Sequence, residues 1–188
     1  MRFILVMPRT PPKPTFLLRD LPGSGKRIDI LCRSLAACFD WGPSCWPRDR
    51  LELVALLSDR KALWFSDPGD ELPVGEVAWA TVIRSALEGR PPRYVRVCET
   101  SLRELLEKEA KQDSRIWVLD ERGNDLESVS FAPRATENSF ILGDHIGFDS
   151  QTLEVISQMG IPKISLGSRS YLGSHCIAMV ISHFERTA

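Results

Sequence analysis

The sequence predicts an α/β protein built on a mostly parallel, doubly wound sheet, and three observations carry the prediction. Short apolar runs suited to strands alternate with segments of helical period along the whole chain. The run Leu51 to Leu57 is almost continuously apolar, as expected of a parallel strand covered on both faces. The run Phe140 to Leu142 stops abruptly at Gly143-Asp144-His145, which reads as the carboxyl end of a buried strand opening into a ligand loop. The 188 residues suit a single domain spanning 1–188, long enough to bury a sizeable core.

The first strand is expected at Arg2 to Met7, an apolar stretch too short for a signal peptide or a membrane span. Four prolines among Pro8 to Pro14 make the next stretch a rigid surface connection. A Gly-rich loop, Asp20 to Arg27, then feeds a helix in which Ile28, Leu31, Cys32, Leu35, Ala36 and Phe39 share one face, leaving Arg27, Asp29 and Arg33 off the stripe. Trp41 to Asp49 is a loop, Leu51 to Leu57 a strand, Lys61 to Phe65 a small pairing strand and Asp67 to Pro73 a turn region. Gly75 to Leu87 reads as a helix closed by Gly89 and stopped by Pro91-Pro92.

Tyr94 to Val97 is the next strand, and Ser101 with Glu104 forms a capping-box pattern. The pairs Glu104/Lys108 and Glu107/Lys111 mark the exposed face of the helix that follows. Arg115 to Leu119 is a strand, Asp120 to Asp125 a polar turn, and Leu126 to Asn138 has too little periodicity to assign. After the strand at Phe140 to Leu142, Ser150 is the expected N-cap of a helix over Gln151 to Met159, ended by Gly160. Lys163 to Leu166 is a short strand, and Leu172, Cys176, Ile177, Val180, Ile181 and Phe184 form the stripe of a last helix.

Composition narrows the function. With 24 basic and 25 acidic residues the net charge of -1 gives no global pull toward nucleic acid, so an RNA surface has to be a local patch or one assembled across a dimer. The five cysteines, Cys32, Cys38, Cys45, Cys98 and Cys176, include no Cys-x-x-Cys and fit scattered thiols in a reducing, cytoplasmic setting rather than disulfides or a zinc site. His145, His175 and His183 lack metal-ligand spacing, so no metal is expected.

Pro22-Gly-Ser-Gly-Lys26-Arg27 is not a phosphate-binding P-loop, because its first glycine and its magnesium-binding hydroxyl are missing. It reads equally as an ordinary helix entry or as a loop whose N–H groups, with Lys26 and Arg27, hold an anion. No Gly-x-Gly-x-x-Gly follows the first strand and no Gly-x-Ser-x-Gly elbow occurs. Three downstream segments are more informative together than singly. Leu142-Gly143 and Leu166-Gly167 are two strand ends where glycine lets a ligand approach the backbone, and Ser174 to Ile177 opens a helix that closes a third side. Three backbone-rich edges suit an adenine nucleoside.

Taken in order, Leu21-Pro-Gly-Ser-Gly-x-Arg27-x-Asp29-x-Leu-Cys-Arg33, Leu142-Gly-Asp-His-x-Gly-Phe148, Ile164-Ser-Leu-Gly167 and His175-Cys-Ile177 resemble the archaeal-type (TrmY-type) tRNA pseudouridine N1-methyltransferases of the SPOUT, or α/β-knot, superfamily. The resemblance covers essentially the whole chain. It implies a C-terminal trefoil knot, a homodimer, a cytoplasmic setting, S-adenosylmethionine as cofactor, and methylation of N1 of pseudouridine 54 in tRNA. It further implies that Leu142, Gly143, Gly147, Ile164, Leu166, Gly167, Cys176 and Ile177 line the cofactor pocket. Lys26, Arg27 and Arg33 would lie on the substrate side, with Asp29 accepting the N1 proton and Arg27 orienting the base; Asp29 and Arg33 equally have the spacing of an i,i+4 surface pair. Cys176 is expected as a pocket wall rather than a nucleophile, and Asp144 and His145 as shapers of that wall. A related enzyme acting on ribosomal or other RNA, or a noncatalytic RNA-binding homologue, would share much of this pattern, although a pure binding module would not need all three cofactor segments.

Overall fold

A computed structural model describes residues 1–42, 46–112 and 114–187; Pro43 and Cys45 of the expected 41–49 loop lie outside the described residues. Among the described residues seven strands form one sheet: β1 (Arg2–Met7), β2 (Glu52–Leu57), β3 (Lys61–Phe65), β4 (Val95–Glu99), β5 (Arg115–Asp125), β6 (Asn138–Gly143) and β7 (Lys163–Ser165). Their order is β4-β3-β2-β1-β6-β5-β7. The pairs β1/β2, β1/β6, β5/β6 and β5/β7 are parallel, whereas β2/β3 and β3/β4 are antiparallel. The expected mostly parallel α/β architecture is thus present, with an antiparallel extension on one edge.

Among the described residues five helices cover the sheet: α1 (Ile28–Phe39), α2 (Glu76–Leu87), α3 (Leu102–Ala110), α4 (Ser150–Gln158) and α5 (Gly173–Thr187). Strand periodicity distributes the apolar runs between two layers. Phe3, Leu5 and Met7 join Leu53, Ala55, Phe140 and Leu142 in a cluster with α1, α2 and α5. Ile4, Val6, Val54, Leu56 and Ile141 point the other way, into a cluster with α3 and α4. Both faces of β1, β2 and β6 are therefore dry, and each large side chain buried there contributes about 1.5–3 kcal/mol.

Several local expectations are corrected. Asp149, not Ser150, caps α4, its carboxylate accepting the Thr152 N–H at 2.9 Å. Leu126 to Asn138 contains two short 3-10 turns, and Asn138 opens β6, fully buried; its amide satisfies backbone groups of Ala132 and Arg134. Asp120 to Asp125 is not a free turn but a continuation of β5. Leu119 pairs with Ile164, the chain swings out, and Asn124 pairs with Ile164 again. Gly123 is the residue that permits this return, since a Cβ there would stand 2.5 Å from the Ile164 nitrogen.

At the amino ends of the parallel strands a polar network replaces apolar packing. Arg2 bonds both Glu52 and the buried Glu109, and Ser139 Oγ donates to Glu109 at 2.8 Å. At the opposite ends lies the cavity.

Candidate active site

The β5–β6 ladder ends at Val118↔Ile141, whereas β6 continues beside β1 to Gly143. The last two residues of β6 therefore run along a cleft that β5 has left. Here a cavity of about 680 Å³ opens, walled by the ends of β5 and β6, the 144–148 turn, the 166–173 segment, the first turn of α5, and Arg27, Ile30 and Arg33 from α1 and its entry.

The turn at the end of β6 is built from its sequence. Asp144 occupies the first position of a β-turn, its carbonyl accepting the Gly147 N–H at 3.0 Å while its carboxylate accepts the Ile146 N–H at 2.9 Å. The turn folds back so closely that a Cβ on Gly143 would stand 2.8 Å from the Gly147 carbonyl carbon, and Gly147 itself adopts φ +85. His145 is thereby held at the corner, its Nδ1 3.7 Å from Asp144 Oδ1. On the facing wall Ser165 Oγ receives the Gly167 N–H and donates to the Gly167 carbonyl, at 3.1 and 2.8 Å, which fixes the Leu166-Gly167 corner.

Arg27 enters α1 left-handed, at φ 71, and Lys26 before it is also left-handed, at φ 48. Such conformations cost a non-glycine residue roughly 1 kcal/mol or more each. Thr10 Oγ1 offsets part of that cost by donating to the Lys26 carbonyl at 2.7 Å, and Arg27 N–H reaches the Pro22 carbonyl at 3.0 Å. As a result Arg27 lines the cavity and its guanidinium grips Asp29 with two bonds of 3.0 Å. Arg33 adds a third, at 2.5 Å. Hydrogen bonding to Asp29 raises the Arg27 pKa above its ordinary value against a smaller effect of burial, with the charges of Asp29 and Asp144 adding to the rise.

The sequence-derived site residues thus fall into groups. Leu142, Gly143, Gly147, Leu166, Gly167 and Cys176 line the cavity together with Arg27 and Arg33. Ile164 and Ile177 do not: both side chains are fully buried in the core behind it. Lys26 is exposed and lies outside the lining. Asp29 is off the apolar stripe of α1 yet only 4% exposed, and both its oxygens are engaged, so it is no surface pair.

Sequence reasoning missed the wall made by Leu119 to Arg122, where Asp120 takes the Lys163 ammonium at 2.7 Å. It also missed the bridge from Arg169 to Leu172 over the cavity. The first was hidden because a charged stretch within a strand looks like a turn; the second has no periodicity to detect. Burial pushes the Cys176 thiol up to about 11, as suits a wall. Among the described residues no cluster of His, Cys, Asp or Glu could hold a metal.

A cavity at the carboxyl ends of a parallel sheet, edged by glycine corners and arginines, defines a class of α/β proteins that take a nucleotide-like ligand at that end. Residues 1–188 match the family described as "Putative SAM-dependent RNA methyltransferase", and the chain belongs to that family. A tRNA (pseudouridine(54)-N(1))-methyltransferase of Pyrococcus abyssi is 31% identical, over 91% of this chain and 90% of that protein. Its namesake from Thermococcus kodakarensis is 30% identical over 95% of each, and that from Methanocorpusculum labreanum 27% identical over 99% and 97%. Nep1 of Archaeoglobus fulgidus, solved with S-adenosylhomocysteine, shares the fold at a TM-score of 0.69, covering 98% of this chain and 97% of that one, with 15% identity.

S-adenosylmethionine, the cofactor of the family, suits the residues present. The cavity is of the size that encloses such a ligand. The ladder that β5 abandons leaves Leu142 and Gly143 backbone along it. Cys176 and Leu166 offer apolar surface on the facing side.

Proposed function

We propose that this chain transfers the methyl group of S-adenosylmethionine to N1 of pseudouridine 54 in tRNA. The observation that carries the reading is that one cavity joins two chemically distinct walls. One is glycine-cornered and apolar, from Leu142, Gly143, Gly147, Leu166, Gly167 and Cys176, backed from the core by Ile164 and Ile177. The other carries the guanidinium groups of Arg27 and Arg33. The curated relatives named for this reaction align over nearly the whole chain, which supports the same substrate.

Bound S-adenosylmethionine supplies an electrophilic methyl group; the chain's own residues hold and orient the base. Arg27, fixed by Asp29, is positioned to hold the target uracil ring or its phosphate, with Arg33 beside it and the exposed Lys26 reaching adjoining backbone. Asp29 serves this reading as the anchor of Arg27, since three guanidinium hydrogen bonds already occupy its oxygens.

The reading includes a single knotted domain over 1–188. A trefoil knot is supported by the likeness to the relatives and is compatible with the double pairing of Ile164 with Leu119 and Asn124 and the close approach of Gly123 to its backbone. A homodimer is supported by exposed Ile146, Leu153, Tyr171 and Leu172 at the cavity rim. A second hollow of about 600 Å³, walled partly by Ala178, Met179 and Ser182 of α5, supports it too. No helix among the described residues is long and apolar enough to cross a membrane, which is compatible with work on tRNA in the cytoplasm.

The test is nucleoside mass spectrometry of pseudouridine-54 tRNA incubated with the protein and S-adenosylmethionine. N1-methylpseudouridine at position 54 is expected, and its absence beside intact cofactor binding would reassign the substrate.

A further inference from the structure

Methylation at N1 requires loss of the imide-like proton that N1 carries, and the cavity has several titratable groups that could receive it. Most are already committed. Asp29 already accepts three hydrogen bonds from Arg27 and Arg33 and does not line the cavity. Asp120 accepts the Lys163 ammonium at 2.7 Å and the Arg122 N–H at 3.0 Å. The Cys176 thiol, pushed up by burial, directs its hydrogen toward the Tyr171 carbonyl. His175 lies exposed on the first turn of α5 and has no carboxylate partner among the described residues. Glu121 is exposed at the rim.

His145 differs from all of these. It sits at the corner of a turn that Gly143, Gly147 and the Asp144 hydrogen bonds hold in one shape. One ring nitrogen, Nδ1, faces a carboxylate whose side chain is 3% exposed, while the imidazole itself is 35% exposed at the cavity. The tautomer with its hydrogen on Nδ1, toward that carboxylate, leaves the Nε2 lone pair to take a proton. At 3.7 Å the carboxylate stands beside the ring without a hydrogen bond to it, close enough to stabilise positive charge that develops there.

Resting on the reaction assigned above, we infer that His145 is the catalytic base and Asp144 its positioning residue. The N1 proton passes to His145 Nε2 as the N1 electron pair attacks the methyl carbon. The carbon–sulfur bond breaks with its electron pair returning to sulfur, which neutralises the sulfonium. The imidazolium, held against Asp144, then releases the proton to water. The Arg27 guanidinium lines the same cavity, and the charge of Asp144 contributes to the rise in its pKa.

The experiment uses the full-length protein, pseudouridine-54 tRNA and S-adenosylmethionine. His145→Ala lowers kcat by about 100-fold or more, leaves cofactor affinity by calorimetry within about threefold, and regains activity on addition of free imidazole. Asp144→Asn lowers kcat by about tenfold or more and gains nothing from imidazole, because the ring still fills its place. A kcat within threefold of wild type for either variant, or a loss in His145→Ala that imidazole does not relieve, overturns the inference. Wild-type protein inactive on this tRNA would instead remove the assigned reaction, and the base with it.

Discussion

Arg27 and Asp29, two residues apart, face each other through two parallel hydrogen bonds of 3.0 Å, a contact that the left-handed entry of Arg27 into α1 makes possible. A residue in helical conformation at that point would direct its side chain away along the helix. The strained entry and the ion pair are therefore one device, and Asp29 is its pivot because Arg33 converges on the same oxygen.

Removing that pivot should separate orientation from cofactor binding. Asp29→Asn leaves two guanidinium groups 32–33% exposed without their shared anion. A loss of about 1–3 kcal/mol in stability is expected, reduced by solvent around the arginines. Turnover should fall about 10- to 100-fold while S-adenosylmethionine affinity stays within about threefold, measured by steady-state kinetics and calorimetry.

The opposite separation is expected at Gly143. A side chain there meets the Gly147 backbone at 2.8–3.0 Å, so Gly143→Val displaces the whole 144–147 turn. Calorimetry should show cofactor affinity reduced by about tenfold or more. Binding of tRNA, followed by filter retention, should change little.

Cys176 provides a control. With its thiol pushed up to about 11, it reacts slowly with iodoacetamide at neutral pH, and Cys176→Ser retains turnover within about threefold. Rapid alkylation at pH 7 would show that burial in the cavity wall is not its actual state.

Acid stability tests the wall made by β5 and β7. Burial pushes the Asp120 carboxyl up, but the Lys163 ammonium, the Arg122 N–H and nearby charges outweigh it and hold its pKa below the ordinary value. A depressed carboxylate contributes stability that is complete above its unfolded pKa and is lost as pH falls through the lower folded value. Urea denaturation of wild type and Asp120→Asn should therefore differ by an amount constant above about pH 5 that shrinks steadily below about pH 4.

Glu109 tests stability without chemistry. It is 1% exposed and joins Arg2 to Ser139 at the end of the sheet remote from the cavity. Glu109→Ala should cost about 3 kcal/mol or more, read as a lowered denaturation midpoint, with kcat at a permissive temperature unchanged.

The sequence made the framework legible wherever period and punctuation agreed. Arg2–Met7, Glu52–Leu57 and the stripe of α1 follow from apolar spacing alone, and the capping box at Ser101 is present as expected. Leu142-Gly143 and Leu166-Gly167 were legible because glycine at a strand end has a steric reason that local sequence expresses. What escaped depends on long-range partners. Ile164 and Ile177 sit in cofactor-like segments, but the sheet turns their side chains into the core. Asp29 lies off its helix's apolar stripe yet is buried, because arginines on either side make burial tolerable. Asp120 to Asp125 reads as a turn until β7 is there to pair with it.

The double grip of β5 on Ile164 also sets a timetable. β1 to β6 can pair with one another as soon as they have emerged, for their ladders need nothing beyond Gly143. Lys163–Ser165, the 166–173 bridge and α5 come last, and they supply the facing wall of the cavity. A nascent chain therefore can pair its first six strands before it has either the cavity's facing wall or the α5 side chains Ile177, Val180 and Ile181 that complete the core.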